Sequence, residues 1–401
     1  MSAAYRSLHI STSRERMQFA AFPMPAGYPD FPHHSLIAEY FDGYVDHFGL
    51  RERITFETLI TRAQRCADGR WEISTNRGTS RTYDALIVAN GHHWDPRWPE
   101  PAFPGQDRFA GTQLHAHEYT GEDPELFRDK AVVVLGMGNS AMDIAVEASF
   151  VASGVWLAAR RGAWVIPKYL FGRPLDTLGA SAHVPFALRR RAQQAMLKLV
   201  VGEMERYGLP KPDHGLLEAH PTVSDDVLSR IAHGEITPKP NIDALTEHSV
   251  RFVDGSEVAA DVVVYCTGYK VTFPFLDPGM IAAPGNDLPL FRRVFHPALG
   301  GIFFVGLLQP LGAVMPLAEL QSAWICDHLA GAYHLPPAVE LRADMAAERT
   351  AMFKRYVASK RHTMQVDFDD YVLAIRRERR RGERRAALAG HALPVAPALP
   401  A

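Results

Sequence analysis

Apolar positions follow two different periods along this chain. Behind Ser35, the stretch LIAEYFDGYVDHF repeats them every three to four residues, which predicts a helix capped at that serine. WEIST (Trp71–Thr75) and YDALIVAN (83–90, ended by Gly91) read instead as strands. The run AVVVLG after Lys130 is apolar without a break, as a parallel strand covered on both faces must be. It turns through Gly136-Met-Gly138-Asn-Ser-Ala141 into the helical pattern MDIAVEASFVAS. A second strand, VWLAAR (155–160), completes a βαβ unit. Further on, the pattern predicts helices over 189–208 and 225–233, a hairpin around Asp254-Gly255, and a buried strand ending at Gly268. Two late helices are expected over 349–359 and 368–381. The first 30 or so residues read as loop, and the tail from Ala386 reads as low-complexity and disordered.

Positions 298–318 carry no charge and invite a membrane reading. However, Gln309-Pro310, Pro316 and four glycines interrupt the run, and a span in lipid must close its backbone bonds within one helix. A buried strand near Ile302, a loop lining a cavity and a helix from about Pro316 are expected instead. Met1 to Ser13 lacks the apolar core of an export signal.

Composition narrows the classes further. The 401 residues suffice for two or three domains, and 47% apolar content with 22% charged residues is ordinary for a globular protein. Charges of 43 basic and 45 acidic residues nearly cancel, which gives no footprint for nucleic acid. Cys66, Cys266 and Cys326 form no CxxC, so a dithiol redox centre and a zinc ribbon are disfavoured and a cytoplasmic location is expected. The pairs His33-His34, His92-His93 and His115-x-His117 lack carboxylates at ligand spacing, and no metal is expected.

The glycine turn is the strongest chemical signal. In Gly136-x-Gly138-x-x-Ala141 the first glycine permits the tight turn and the second admits a pyrophosphate. The small third residue lets helix and strand pack closely. Asn139 and Ser140 open the helix, whose free N–H groups favour an anion. About 20–25 residues beyond, at the end of the second strand, stand Arg160 and Arg161 with no carboxylate. Guanidinium pairs with phosphate in a bidentate manner, so NADPH is favoured over NADH.

Just before this unit, Phe109-Ala-Gly111-Thr-Gln-Leu-His115-Ala-His117-Glu-Tyr119 matches FxGxxxHxxxY. That pattern resembles the identifying motif of class B flavoprotein monooxygenases, in the form of flavin-containing monooxygenases; Baeyer–Villiger relatives usually end it in Trp. YRSLHISTSRERMQFAAFPMP, HPTVSDDVLSRI (220–231), YCTGY (265–269) and GLLQPLGAVMPLAELQ (306–321) resemble the same family. VANG (88–91) and CTG (266–268) look like its hinges between the flavin and NADPH domains. The resemblance implies an α/β protein with two Rossmann-like domains, the NADPH domain inserted into the FAD domain. It also implies NADPH reduction of FAD and oxygenation of an amine nitrogen or sulfide sulfur through a flavin C4a-hydroperoxide.

The family opens on a strand–GxGxxG–helix element for the ADP half of FAD. This chain has no glycine before Gly27, so the FAD domain is expected to be incomplete at its N-terminus. The expected division is 1–126 (FAD domain, first part), 127–245 (NADPH domain), 246–375 (FAD domain, second part) and 376–401 (basic and Ala/Pro-rich tail). By resemblance, Ser11 takes the place of an Asn near the flavin C4a and is the expected catalytic residue, with Thr12, Gln309 and Glu319 near the isoalloxazine. The expected partners are a small-molecule substrate and O₂, and a homodimer is left open. A Baeyer–Villiger ketone monooxygenase and an inactive NADPH-binding remnant stand as alternatives.

Overall fold

A computed structural model describes residues 4–178, 186–356 and 363–394. The chain divides into two compact units, and the division falls at His92/His93 and Lys270/Val271, one or two residues past the glycine-ended strands VANG and CTG.

The first unit gathers residues 1–13, 30–34 and 93–270. Its centre is a five-stranded parallel sheet. In chain order the strands are β1 (Thr112–His115), β2 (Ala131–Leu135), β3 (Gly154–Ala159), β4 (Thr237–Pro240) and β5 (Val262–Tyr265). Their spatial order is β4-β3-β2-β5-β1. The run AVVVL is apolar throughout because both faces are covered. Val132 and Val134 pack with the helix α1 (Asn139–Ala148), whereas Val133 and Leu135 pack with Phe109, Ile242, Val250 and Phe252. The unit extends beyond 127–245 at both ends because β1 and β5 are hydrogen-bonded into the same sheet.

The second unit holds residues 14–29, 35–92 and 271–401, on both sides of the first in the chain. An antiparallel trio, Ile60–Arg65, Trp71–Thr75 and Ser80–Tyr83, carries the fully buried Trp71. Leu86–Val88 pairs in parallel with Ile302–Phe304. The expected single strand over 83–90 is therefore two strands with a break at Asp84-Ala85, since each half pairs with a different partner.

Three expectations need correction here. The helix behind Ser35 begins at His34, so Ser35 lies inside it. The late helix runs Ala338–Arg355, eleven residues earlier than expected, and 357–359 lie outside the described residues. The basic segment is not a tail: one helix runs Phe368–Leu388, with Ile375 and Ala386 fully buried and Gly382 closed against the Tyr333 ring. Its Arg379 pairs with Asp327 and its Arg385 donates to the His334 carbonyl at 2.9 Å, so part of the arginine run fastens the helix down. The apolar segment 298–318 forms the buried strand Ile302–Phe304, a short strand Gln309–Leu311 and the start of the helix Met315–Leu329. No helix among the described residues is long and apolar enough to cross a membrane.

Candidate functional site

The glycine turn sits at the carboxyl end of β2, where ligands bind in open parallel sheets. Gly136 adopts φ +148°, in the range that favours glycine. A Cβ there would meet the Cys266 carbonyl oxygen at 2.6 Å and the Cys266 Cβ at 2.9 Å. Ala141 is fully buried, and its Cβ would stand 3.3 Å from that same position, so the small third residue is a packing requirement. Gly138 caps α1 without a side-chain bond. Its carbonyl accepts from the amides of Ala141 and Met142, which leaves the amides of Asn139 and Ser140 without a protein acceptor among the described residues. Two free N–H groups at the positive end of a ten-residue helix suit a pyrophosphate. The residues present therefore fit the nucleotide.

Two contacts from outside the motif hold the turn. Thr222 donates its hydroxyl to the Met137 carbonyl, and the Asn139 Oδ1 accepts from the Val223 amide at 3.0 Å. The same Asn139 donates from Nδ2 to the Ser11 hydroxyl at 3.1 Å. Ser11 is thus brought to the mouth of the glycine turn. Thr12 follows it, and the Ser13 amide donates to Asp176 at 2.6 Å.

The segment that carries Ser11 is tied to α1 by a partly buried polar cluster that sequence reasoning missed. Tyr5 donates to Asp143, and Ser7 and Tyr119 donate to the two oxygens of Glu147. Asp143 and Glu147 lie four residues apart on one helix face, and that spacing was the available signal. Burial raises both carboxyls above their ordinary range, and it raises the Tyr5 and Tyr119 phenols as well. Tyr119, the last residue of the FxGxxxHxxxY motif, is therefore a clamp on α1.

The other motif residues are internal. Phe109 is buried, and a Cβ on Gly111 would meet the Asp261 carbonyl at 2.4 Å and the Phe109 ring at 2.6 Å. His115 is fully buried at the end of β1; its Nδ1 accepts from the His117 amide, and Trp98 and Tyr269 lie against the ring. Burial pushes its pKa down to about 4, so it is neutral at pH 7.

At the end of β3 the two arginines differ. Arg160 is exposed and has no carboxylate partner among the described residues. Arg161 donates from Nε and a terminal nitrogen to Asp213 Oδ2, both at 2.7 Å.

Gln309 and Glu319 belong to the second unit. The Glu319 carboxylate accepts from the amides of Ala20 and Ala21 at 2.9 and 3.1 Å, so both oxygens already have partners. Gln309 lies opposite Gln365 in a parallel pair, and both side-chain polar atoms of Gln365 are buried without a partner. Gly91 and Gly306 follow the two parallel strands Leu86–Val88 and Ile302–Phe304. They take φ of +71° and +72°, with open space where a Cβ would point. Ligands of open parallel sheets bind outside the carboxyl ends of the strands, which is where these two glycines stand. Among the described residues of this unit, no GxGxxG turn opens a helix.

A fold of two such units, with one nucleotide turn completed by outside contacts, defines a dinucleotide-dependent oxidoreductase. A profile of the Flavin-binding monooxygenase-like family matches residues 1–378. Flavin-containing monooxygenase 5 of Rattus norvegicus is 38% identical over 387 residues, covering 92% of this chain and 72% of its own length. S-allyl-L-cysteine S-oxygenase from Allium sativum superposes with a TM-score of 0.69 at 25% identity, covering 96% of this chain and 78% of its own. Cyclohexanone monooxygenase shares the fold at a TM-score of 0.72 and 17% identity, covering 96% and 90%.

The chain belongs to the flavin-binding monooxygenase family. It is an NADPH-dependent flavoprotein monooxygenase whose cofactors are FAD and NADPH.

Proposed function

We propose that this enzyme oxygenates a soft nucleophile, an amine nitrogen or a sulfide sulfur, and that the residues around Gly136 hold the pyridine nucleotide during turnover. The observation that carries this reading is the turn itself: amides at Asn139 and Ser140 that have no acceptor among the described residues, with the Ser11 hydroxyl fastened to the Asn139 side chain at 3.1 Å. Gly136, Gly138 and Ala141 shape the cradle, and the two amides take the pyrophosphate. Arg160 provides the charge for the 2′-phosphate. FAD, when bound, would supply NADPH-derived electrons to O₂, so that one oxygen atom of O₂ could pass to the substrate and the other leave as water. Ser11 presents a neutral hydroxyl beside the nucleotide turn, and Thr12 extends that edge. Gln309 contributes an uncharged amide in the second unit.

No acid–base pair is needed from the protein for attack by a nucleophile that already carries a lone pair; orientation and exclusion of water suffice. A cytoplasmic location accompanies this reading and rests on the three dispersed thiols. The test is product analysis with FAD and NADPH supplied. Thioethers and tertiary amines are expected to yield S-oxides and N-oxides, with NADPH consumed in step. A lactone from a cyclic ketone, with no oxide from either nucleophile, overturns the substrate class in favour of Baeyer–Villiger chemistry.

A further inference from the structure

The end of β3 carries a group that the motif does not contain. The loop 210–214 is pressed onto the turn that follows Arg160 and Arg161. A Cβ on Gly162 would stand 2.1 Å from the Pro210 carbonyl oxygen and 2.6 Å from the Lys211 carbonyl carbon. Beyond Asp213 the loop is pinned again, because the Trp164 indole donates to the His214 carbonyl at 2.9 Å. Between these anchors, Asp213 Oδ2 receives both donors from Arg161, and His214 Nδ1 lies 2.8 Å from Oδ1. The His214 contact and Arg161 hold the Asp213 carboxyl below its ordinary range, so it is charged at neutral pH. Lys211, in the same loop, is 3.5 Å from Glu205 and mostly exposed.

A carboxylate at the end of the second strand is the group that NAD sites place on the ribose 2′-hydroxyl, and an arginine there is the group that NADP sites place on the 2′-phosphate. This chain has both, the carboxylate arriving from a loop some fifty positions further along. We propose that Asp213 is the specificity-determining residue of the nucleotide site. By occupying Arg161 it leaves Arg160, which has no carboxylate partner among the described residues, to meet a 2′-phosphate, and it admits a nucleotide that lacks that phosphate, NADH. This inference rests on the reading of the β3 end as the 2′-phosphate site.

The test is a titration of NADP⁺ and NAD⁺ into the full chain, read by binding and independent of turnover. Asp213→Asn frees Arg161 and should tighten NADP⁺ on the order of threefold to tenfold, as expected for one partly exposed charge. NAD⁺ should not tighten with it. The gain should disappear in Asp213→Asn/Arg161→Gln and shrink at high salt, because it is electrostatic. Asp213→Ser must behave as Asp213→Asn does, which guards against a folding defect of either variant. Arg160→Gln should cost NADP⁺ about tenfold. If Arg160→Gln carries that cost while both Asp213 variants leave NADP⁺ unchanged or weaker, the role of Asp213 is overturned and the strand-end reading stands. If Arg160→Gln and the Asp213 variants all leave NADP⁺ unchanged, the strand-end reading falls, and this inference with it.

Discussion

The Asn139 side chain joins two segments at the glycine turn: Nδ2 donates to the Ser11 hydroxyl at 3.1 Å, and Oδ1 accepts from the Val223 amide at 3.0 Å. One amide thereby fixes the N-terminal segment and the strand Thr222–Val223 to the first turn of α1. Asn139→Ala removes both bonds. At about 1 kcal/mol each, NADP⁺ should bind roughly ten- to thirtyfold more weakly. Fluorescence titration of NADP⁺ measures it, and an unchanged affinity would separate Asn139 from the site.

Ser11 is held there by one side-chain bond among the described residues. Ser11→Ala keeps the backbone but withdraws the hydroxyl from the edge of the turn. The expected result is poorer coupling, seen as more hydrogen peroxide released per NADPH oxidised, with NADP⁺ affinity changed less than by Asn139→Ala. Peroxide assayed against NADPH consumption decides it. Equal coupling in both proteins would make Ser11 a structural residue.

Gly136 tolerates no side chain. Ala at this position meets the Cys266 carbonyl at 2.6 Å with a backbone φ of +148°. Gly136→Ala should cost about 2 kcal/mol or more of stability and abolish NADP⁺ binding. Gly172, at φ +71° with open space around it, is the control: Gly172→Ala should cost less and leave binding intact. Thermal melts with and without NADP⁺ compare the two.

The buried polar groups of the first unit give opposite pH trends. His115 titrates near 4 in the fold and near 6.5 in an unfolded chain. Its share of stability is therefore complete above pH 6.5 and is lost as pH falls through 4, a loss of roughly 3 kcal/mol. Asp143 and Glu147 have raised carboxyl pKa values, so the cost of burying their charge is present at neutral pH and is relieved as pH falls. In a comparison with His115→Gln the carboxylate share is common to both proteins and cancels. The stability advantage of wild type over the variant should shrink by roughly 3 kcal/mol between pH 7 and 4. Parallel curves would contradict the burial argument.

Tyr119→Phe takes one donor from the half-buried Glu147 and leaves Ser7 on the other oxygen. The expected cost is about 1–3 kcal/mol, larger at pH 8 than at pH 5.5 because protonation relieves a carboxylate that has lost one of its two donors. Melting temperatures at the two pH values test the sign.

Much of the first unit was legible because its signals are local. The unbroken AVVVL run, the turn that follows it and the strand ending at Arg160 are consecutive in the chain, and covering β2 on both faces requires that run. What escaped is held by side chains far apart in sequence. Tyr5 reaches Asp143, Arg161 reaches Asp213, and Thr222 reaches back to Met137, and no spacing rule connects such pairs. The end of the chain misled for a different reason. ALAGHAL around Ala386 has the composition of a disordered tail, yet Ala386 is fully buried because Gly382 lets the helix close on Tyr333. Around Glu319 the local contact was equally invisible in the sequence: its two oxygens each accept a backbone amide, from Ala20 and Ala21, 299 and 298 positions away.

The account depends on oxygen transfer to a soft nucleophile at the expense of NADPH, and ¹⁸O₂ labelling tests that most directly. With FAD and NADPH supplied and a thioether as acceptor, the sulfoxide should carry one ¹⁸O atom per NADPH consumed. The same product formed with unlabelled oxygen from water, or NADPH oxidised with no oxide formed, would contradict it.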